Sequence, residues 1–205
     1  MPSLIAPVIT IEPVGNSVDT SRYAGVIFTS SNAVPDRAER AGMAAYCVGD
    51  RTADVARAAG YSAVSASGDA DALVKEIGAK RAEGSLLHMR GETARGDIAE
   101  RLIQAGVPTD EVITYRQVAI ALAPDVMETL MNAPAILAPV FSPMSAAALA
   151  KSLEPAGLAP TIVAISRSAA DAYTGPISAR EVAATPDANA MADLIAAHYR
   201  RDSAC

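Results

Sequence analysis

VIFTSSNAV (residues 26–34) and APVFSPMSA (138–146) are two versions of one phrase: an apolar run, a Ser-rich break, then the start of a helix. Two further phrases return in the same order. AYCVGDRTADVARAAG (45–60) is echoed by VAISRSAADAYTG (163–175), and SASGDADALVKEI (65–77) by AATPDANAMADLI (183–195). The offsets run from 112 to 118 positions, far longer than a solenoid repeat. Three ordered echoes at nearly one spacing read as two copies of one domain.

Within the first copy, apolar strands at 25–29, 44–48, 61–64 and 86–89 alternate with helical patterns at 32–41, 51–59, 70–81 and 94–105. Gly42, Gly60 and Gly106 stand just past periodic segments, where a helix is expected to stop. Short apolar strands alternating with helices predict a parallel sheet covered on both faces. LIAPVITI (4–11) and VITYRQVAI (112–120) lie outside these units and bracket the first copy. They are expected to pair as a two-stranded ladder. The expected fold class is therefore α/β: two similar doubly wound parallel-sheet domains joined by a β ladder. The boundaries are a linker strand in 1–16, a first domain in 17–111, a second linker strand in 112–120 and a second domain in 121–205. The first copy has four βα units and the second three. The expectation is that the split domain is reduced, or that one βα unit of roughly 30 residues is missing ahead of Leu4.

Hydrophobic residues make up 51% of the 205 positions and aromatics only 4%, so the cores are to be built from Ala, Val, Leu and Ile. A net charge of −6 with no Lys/Arg block argues against nucleic acid or an acidic membrane surface as partner. It leaves room for an anionic small molecule, because a local site can be positive on an acidic protein. Cys47 lies in an apolar strand and reads as a buried thiol, and Cys205 is the last residue. No disulfide framework follows, which fits a reducing cytoplasm. No apolar run reaches about 18 residues, and the N-terminus lacks the pattern of a secretory signal.

Ligands of doubly wound domains gather at the carboxyl ends of the strands. Thr29, Ser30, Ser31 and Asn32 follow the first strand, Gly49 and Thr52 flank the next helix start, and Arg90-Gly91-Glu92-Thr93 follow the fourth strand. Ser142-Pro143-Met144-Ser145 and Ser166-Arg167-Ser168 hold the equivalent places in the second copy. Any one of these loops reads equally well as a helix N-cap. Five on one edge suggest an anion site of hydroxyls and unpaired backbone N–H groups. Arg90 and Arg95 read either as anion clamps or as solvated charges. Tyr115 lies in the strand leaving the first domain and reads either as a phenol placed to donate a hydrogen bond or proton or as an ordinary β-strand tyrosine. His88 and His198 are isolated, and no Cys/His set has metal-ligand spacing. Dinucleotide, Walker and nucleophile-elbow motifs are missing.

These residues resemble the uroporphyrinogen-III synthase family. The likeness rests on VIFTSSNAV, YCVGDRTADVARAAG, HMRGE, VITYRQVA, VFSPMSAAALA, VAISRSAADA and EVAATPDANAMADLI, in that order over nearly the whole chain. It implies a cofactor-free and metal-free lyase of tetrapyrrole biosynthesis, monomeric and cytoplasmic, in transient contact with the preceding enzyme. Its substrate would be linear hydroxymethylbilane, which loses its terminal hydroxyl and closes through a spiro intermediate with inversion of ring D. By the same resemblance, Tyr115 would assist hydroxide departure. Thr29, Ser30, Ser31, Asn32, Thr52, Arg90, Gly91, Ser142, Ser166 and Ser168 would hold the carboxylated substrate, and the ladder would act as a hinge for closure. Three departures stand out. The family's opening strand-turn-helix is missing, the Ile-Gly-x-x-Thr pattern reads Ile165-Ser166-Arg167-Ser168-Ala169, and Tyr173-Thr174-Gly175-Pro176 should end the next helix early. The alternative is a non-catalytic module of the same fold that binds an anion or a tetrapyrrole.

Overall fold

The structure is a computed structural model that describes residues 3–15, 18–80, 84–93 and 97–202. The chain divides into two compact units, one formed by Ile11–Gln117 and one by Met1–Thr10 with Val118–Cys205.

The first unit is organised by β2 (Gly25–Phe28), β3 (Ala44–Cys47), β4 (Ser62–Ser65), β5 (Leu86–Gly91) and β6 (Thr109–Ala119). All four pairings among them are parallel. With β1 (Ile9–Pro13) the sheet order is β1-β6-β5-β2-β3-β4. The β1 edge is antiparallel: Val14 N–H donates to the Thr114 carbonyl, and Ile120 N–H to the Val8 carbonyl. β6 thus serves at once as the partner of β1 and as the fifth parallel strand.

Alternation along the strands builds two cores, as the period of two dictates. Val26 and Phe28 face a cluster with Ala53 and Ala56 of α1 (Asp50–Ala58), Tyr61, Leu87 and Met89. Ile27 points the other way, to Leu73 and Ile77 of α2 (Ala70–Lys80) and to Ile98 and Leu102 of α3 (Ile98–Gln104). Leu102 is fully buried, so truncating it to Ala should destabilise the unit by about 2–5 kcal/mol. Cys47 is also fully buried, and burial pushes its thiol up to about 11, which makes it unreactive.

One expected helix is absent. Residues 32–41 form only a 3-10 turn at Ser31–Ala33, followed by irregular chain. Pro35 is the cause. It disfavours helical geometry at the residue before it, and Val34 is extended at φ −77°, ψ 122°. The helix expected at 94–105 is α3, beginning at Ile98, and residues 94–96 with Arg95 lie outside the described residues.

The second unit holds α4 (Pro124–Met131), then β7 (Leu137–Val140), α5 (Pro143–Leu153), β8 (Thr161–Ala164), α6 (Arg167–Asp171), β9 (Ala179–Val182) and α7 (Ala188–Asp202). The three strands are parallel in the order β7-β8-β9. Ile162 and Ala164 pack with residues of α4, α5 and α6, whereas Val163 faces Met191 of α7. The short α6 is as the sequence predicted: the buried ring of Tyr173 follows it, and the Tyr173 hydroxyl donates to the Pro176 carbonyl at 3.4 Å. Among the described residues no helix is long and apolar enough to cross a membrane.

Candidate functional site

The sheet order of the first unit fixes where a ligand fits. From β2 the chain moves outward through β3 and β4, then returns to the other side of β2 with β5 and β6. The order therefore reverses between β2 and β5, and the crevice beyond their carboxyl ends is the expected site. A cavity of about 340 Å³ lies there, lined by Thr29 and Ser30 after β2, Gly91 and Thr93 at β5, Asp69 and Ala70 at α2, and by Val48, Ile98 and Tyr115. A second cavity of about 480 Å³ shares Tyr115 and includes Asn32, Arg37, Glu39, Met89 and Thr114. The second is larger, but Thr29, Ser30, Gly91 and Tyr115 converge on the first.

Tyr115 reaches this place through a fault in the strand. Val112 and Tyr115 pack in the same cluster, although residues three apart on an unbroken strand face opposite sides. The β5–β6 register explains it: Arg90 pairs with Ile113 but Gly91 pairs with Tyr115, skipping Thr114. A bulge of this kind re-aims a side chain and is over-represented beside active sites. The Tyr115 ring is 8% exposed. Among the described residues its hydroxyl has no hydrogen-bond partner.

The other residues named from sequence divide into three groups. Thr29 and Ser30 are half-buried at the cavity. Ser30 caps the 3-10 turn by accepting from Asn32 N–H at 3.2 Å. Asn32 lines only the larger cavity, and Ser31 lines neither. Thr52 is buried in the first turn of α1 and also lines neither. Arg90 turns to the protein's own oxygens: Nη1 donates to the carbonyls of Gly91 at 3.1 Å and Glu92 at 3.4 Å. Its Nε lies 3.1 Å from Glu111 Oε2 yet is misaligned, so this contact is an ion pair without a hydrogen bond. Ser142, Ser166 and Ser168 belong to the second unit. Ser142 forms a capping box with Ser145 on α5, and Ser166 caps α6 by accepting from Ala169 N–H at 3.3 Å while its Oγ lies 3.0 Å from that of Ser168.

Sequence reasoning passes over Asp69 and reads His88 as isolated, whereas the structure engages it with Thr29 and Glu111. Asp69 Oδ1 accepts from Asp71 N–H at 2.9 Å and Ala72 N–H at 3.1 Å, so its carboxylate caps α2 at the cavity wall. His88 is 2% exposed. Its Nε2 lies 3.2 Å from Thr29 Oγ1 and its Nδ1 2.9 Å from Glu111 Oε1. Burial, first of all, holds its pKa below the ordinary 6.5, with Glu111 pulling the other way. The signal is available in LLHMRG: His88 and Arg90, two apart on a strand, must share a face.

No curated protein sequence matches the chain. Among solved structures, uroporphyrinogen-III synthetase from Helicobacter pylori 26695 is similar at a TM-score of 0.68 and 16% identity, over 93% of this chain and 90% of that one. A mutant uroporphyrinogen III synthase from the extremely thermophilic bacterium Thermus thermophilus aligns at a TM-score of 0.47 and 16% identity, over 95% of this chain and 86% of that one. The first of these likenesses supports the α/β fold with parallel sheets. Residues 2–193 match the family model of uroporphyrinogen-III synthase HemD, and the chain belongs to that family.

Proposed function

We propose that this chain is a uroporphyrinogen-III synthase, closing linear hydroxymethylbilane to uroporphyrinogen III with inversion of ring D and loss of water. The observation that carries the reading at the level of residues is Tyr115. Its ring is buried and re-aimed by a bulge onto a cavity at the switch point of the sheet, and its phenol has no partner among the described residues. A phenol so placed can donate to the departing hydroxyl, which leaves as water once it takes the proton. The substituted carbon of ring D that attacks first bears no hydrogen. The spiro intermediate opens by breaking that carbon's bond to its old methylene, and the unsubstituted α-carbon of ring D captures the methylene. The proton this carbon then loses can return to the phenolate. No redox change occurs, so the reaction calls for no redox cofactor, and its class is a cyclising lyase.

Most of the acceleration would come from holding a flexible chain bent so that the substituted carbon of the last ring attacks. Ser30 and Gly91 at the cavity of the first unit would restrain the substrate's carboxylates and backbone. We propose further that the protein works as a monomer in the cytoplasm, in transient contact with the enzyme that supplies its unstable substrate. The alternative of a non-catalytic binding module is not favoured by membership of an enzyme family.

The test is a coupled assay. Hydroxymethylbilane generated in situ is supplied to the purified chain, the products are oxidised, and isomers I and III are separated by chromatography. Isomer III in excess of the spontaneous isomer I background establishes the activity; isomer I alone refutes it for this chain.

A further inference from the structure

His88 is buried in the first unit and plays no part in the reaction just described, yet both of its ring nitrogens are engaged. The proton positions follow from its partners. Glu111 Oε1 lies 2.9 Å from Nδ1, and the other oxygen of that carboxylate is paired with the Arg90 guanidinium at 3.1 Å. An ionised carboxylate only accepts, so Nδ1 carries the hydrogen. A neutral imidazole protonated at Nδ1 has a bare Nε2, which can only accept. Burial favours this neutral ring. Thr29 Oγ1, 3.2 Å from Nε2, must therefore spend its single hydrogen on His88. What it has left for the cavity is lone pairs.

We propose that the Thr29–His88–Glu111 chain fixes Thr29 as a hydrogen-bond acceptor on the cavity wall, and that the group it receives is a pyrrole N–H of the tetrapyrrole substrate, not one of the carboxylates. The identity of that ligand rests on the synthase reading; the direction of the hydrogen bonds does not. Ser30 is the contrast. Its oxygen accepts from Asn32 N–H, which leaves its own hydrogen free to donate to a carboxylate. Two adjacent hydroxyls thus have opposite polarity, and His88 is the positioning residue that makes them differ.

The experiment uses the whole chain labelled with ¹⁵N-histidine. There are only two histidines, so a His198→Gln variant identifies the His88 signals. At pH 7.5 the expected spectrum has a proton on Nδ1 and none on Nε2, and Thr29→Val is expected to shift Nε2 while Nδ1 stays protonated. A proton on Nε2, or on both nitrogens, would overturn the proposal. The ligand is tested with two probes, a pyrrole dicarboxylate and its N-methyl analogue, which keeps both carboxylates and lacks only the N–H. The first should move the Nε2 resonance and the second should not. An equal response to both, or none to either, rejects the pyrrole assignment. This holds whether or not the chain forms isomer III, so failure of the synthase reading is scored separately. In an active protein, Thr29→Val should raise KM about fivefold, the worth of one neutral hydrogen bond, with kcat retained, and Thr29→Ser should restore it.

Discussion

Tyr115 occupies the space a side chain on Gly91 would need: a Cβ there would stand 2.6 Å from Tyr115 Cζ and 2.9 Å from its hydroxyl oxygen. A Cβ essentially never approaches another heavy atom within 3.0 Å, so one of the two must move. The backbone at Gly91 is held in the β5 ladder, which leaves the phenol as the part that shifts. Gly91→Ala should therefore displace the Tyr115 hydroxyl while the fold persists. A displacement near 1 Å lowers rate by about a hundredfold when a catalytic group is involved. The measurement is kcat in the coupled assay beside a thermal melt. Full activity in a folded Gly91→Ala protein would show that the position of the phenol is immaterial.

Tyr115→Phe removes one oxygen and leaves the ring that packs against the first core. Stability should change little, because the hydroxyl has no hydrogen-bond partner among the described residues. Loss of a proton donor in the transition state lowers turnover by about 10²–10⁴, and kcat is the quantity expected to fall, with KM nearly constant. Wild-type kcat would remove Tyr115 from the mechanism. The comparison with Gly91→Ala matters: the double variant should be no slower than Tyr115→Phe alone, since both act through the same oxygen.

Much of this fold was legible because it is written in period and punctuation. The apolar runs of β2, β3 and β5 and the glycines at 60 and 106, with φ of +100° and +82°, announce strand and helix ends directly. The segment 32–41 misleads because its helical spacing competes with Pro35, whose steric effect on Val34 decides the outcome. At the site, the loops after β2 and β5 could be placed from the alternation of elements alone. The role of Arg90 could not. Whether a guanidinium faces a ligand or its own carbonyls depends on Glu111, a residue of the neighbouring strand that is distant in sequence. The bulge at Thr114 is equally silent, since nothing local in VITYRQVA marks the skipped residue.

His88 should also make stability depend on pH. Its folded pKa lies below 6.5, chiefly through burial, with Glu111 raising it and Arg90 lowering it. Above 6.5 the ring is neutral in both folded and unfolded chains, and its contribution is fully present. As pH falls below 6.5 the unfolded chain takes up a proton that the folded one refuses, so stability declines until the folded pKa is reached and then levels off. Urea midpoints at pH 7.5 and 5.5 should differ more in the wild type than in His88→Gln, which has no titrating ring. Equal differences in the two proteins would mean that His88 is protonated as easily folded as unfolded.

Ser142 has a capping role on α5 that is distinct from any role in binding. Its Oγ accepts from Ser145 N–H at 3.1 Å, and the Ser145 side chain returns a bond to the Ser142 N–H at 3.2 Å. Losing such a cap by Ser142→Ala should lower stability by about 1 kcal/mol. If that is the whole of its function, KM will follow the wild type. Ser142→Asp separates the roles, because Asp caps as well as Ser and adds a negative charge. Stability should then be retained, while a carboxylated substrate held at this helix start would be repelled and KM would rise severalfold in a salt-dependent way. An unchanged KM in the stable Asp variant would leave Ser142 as a cap and remove it from the substrate-binding set.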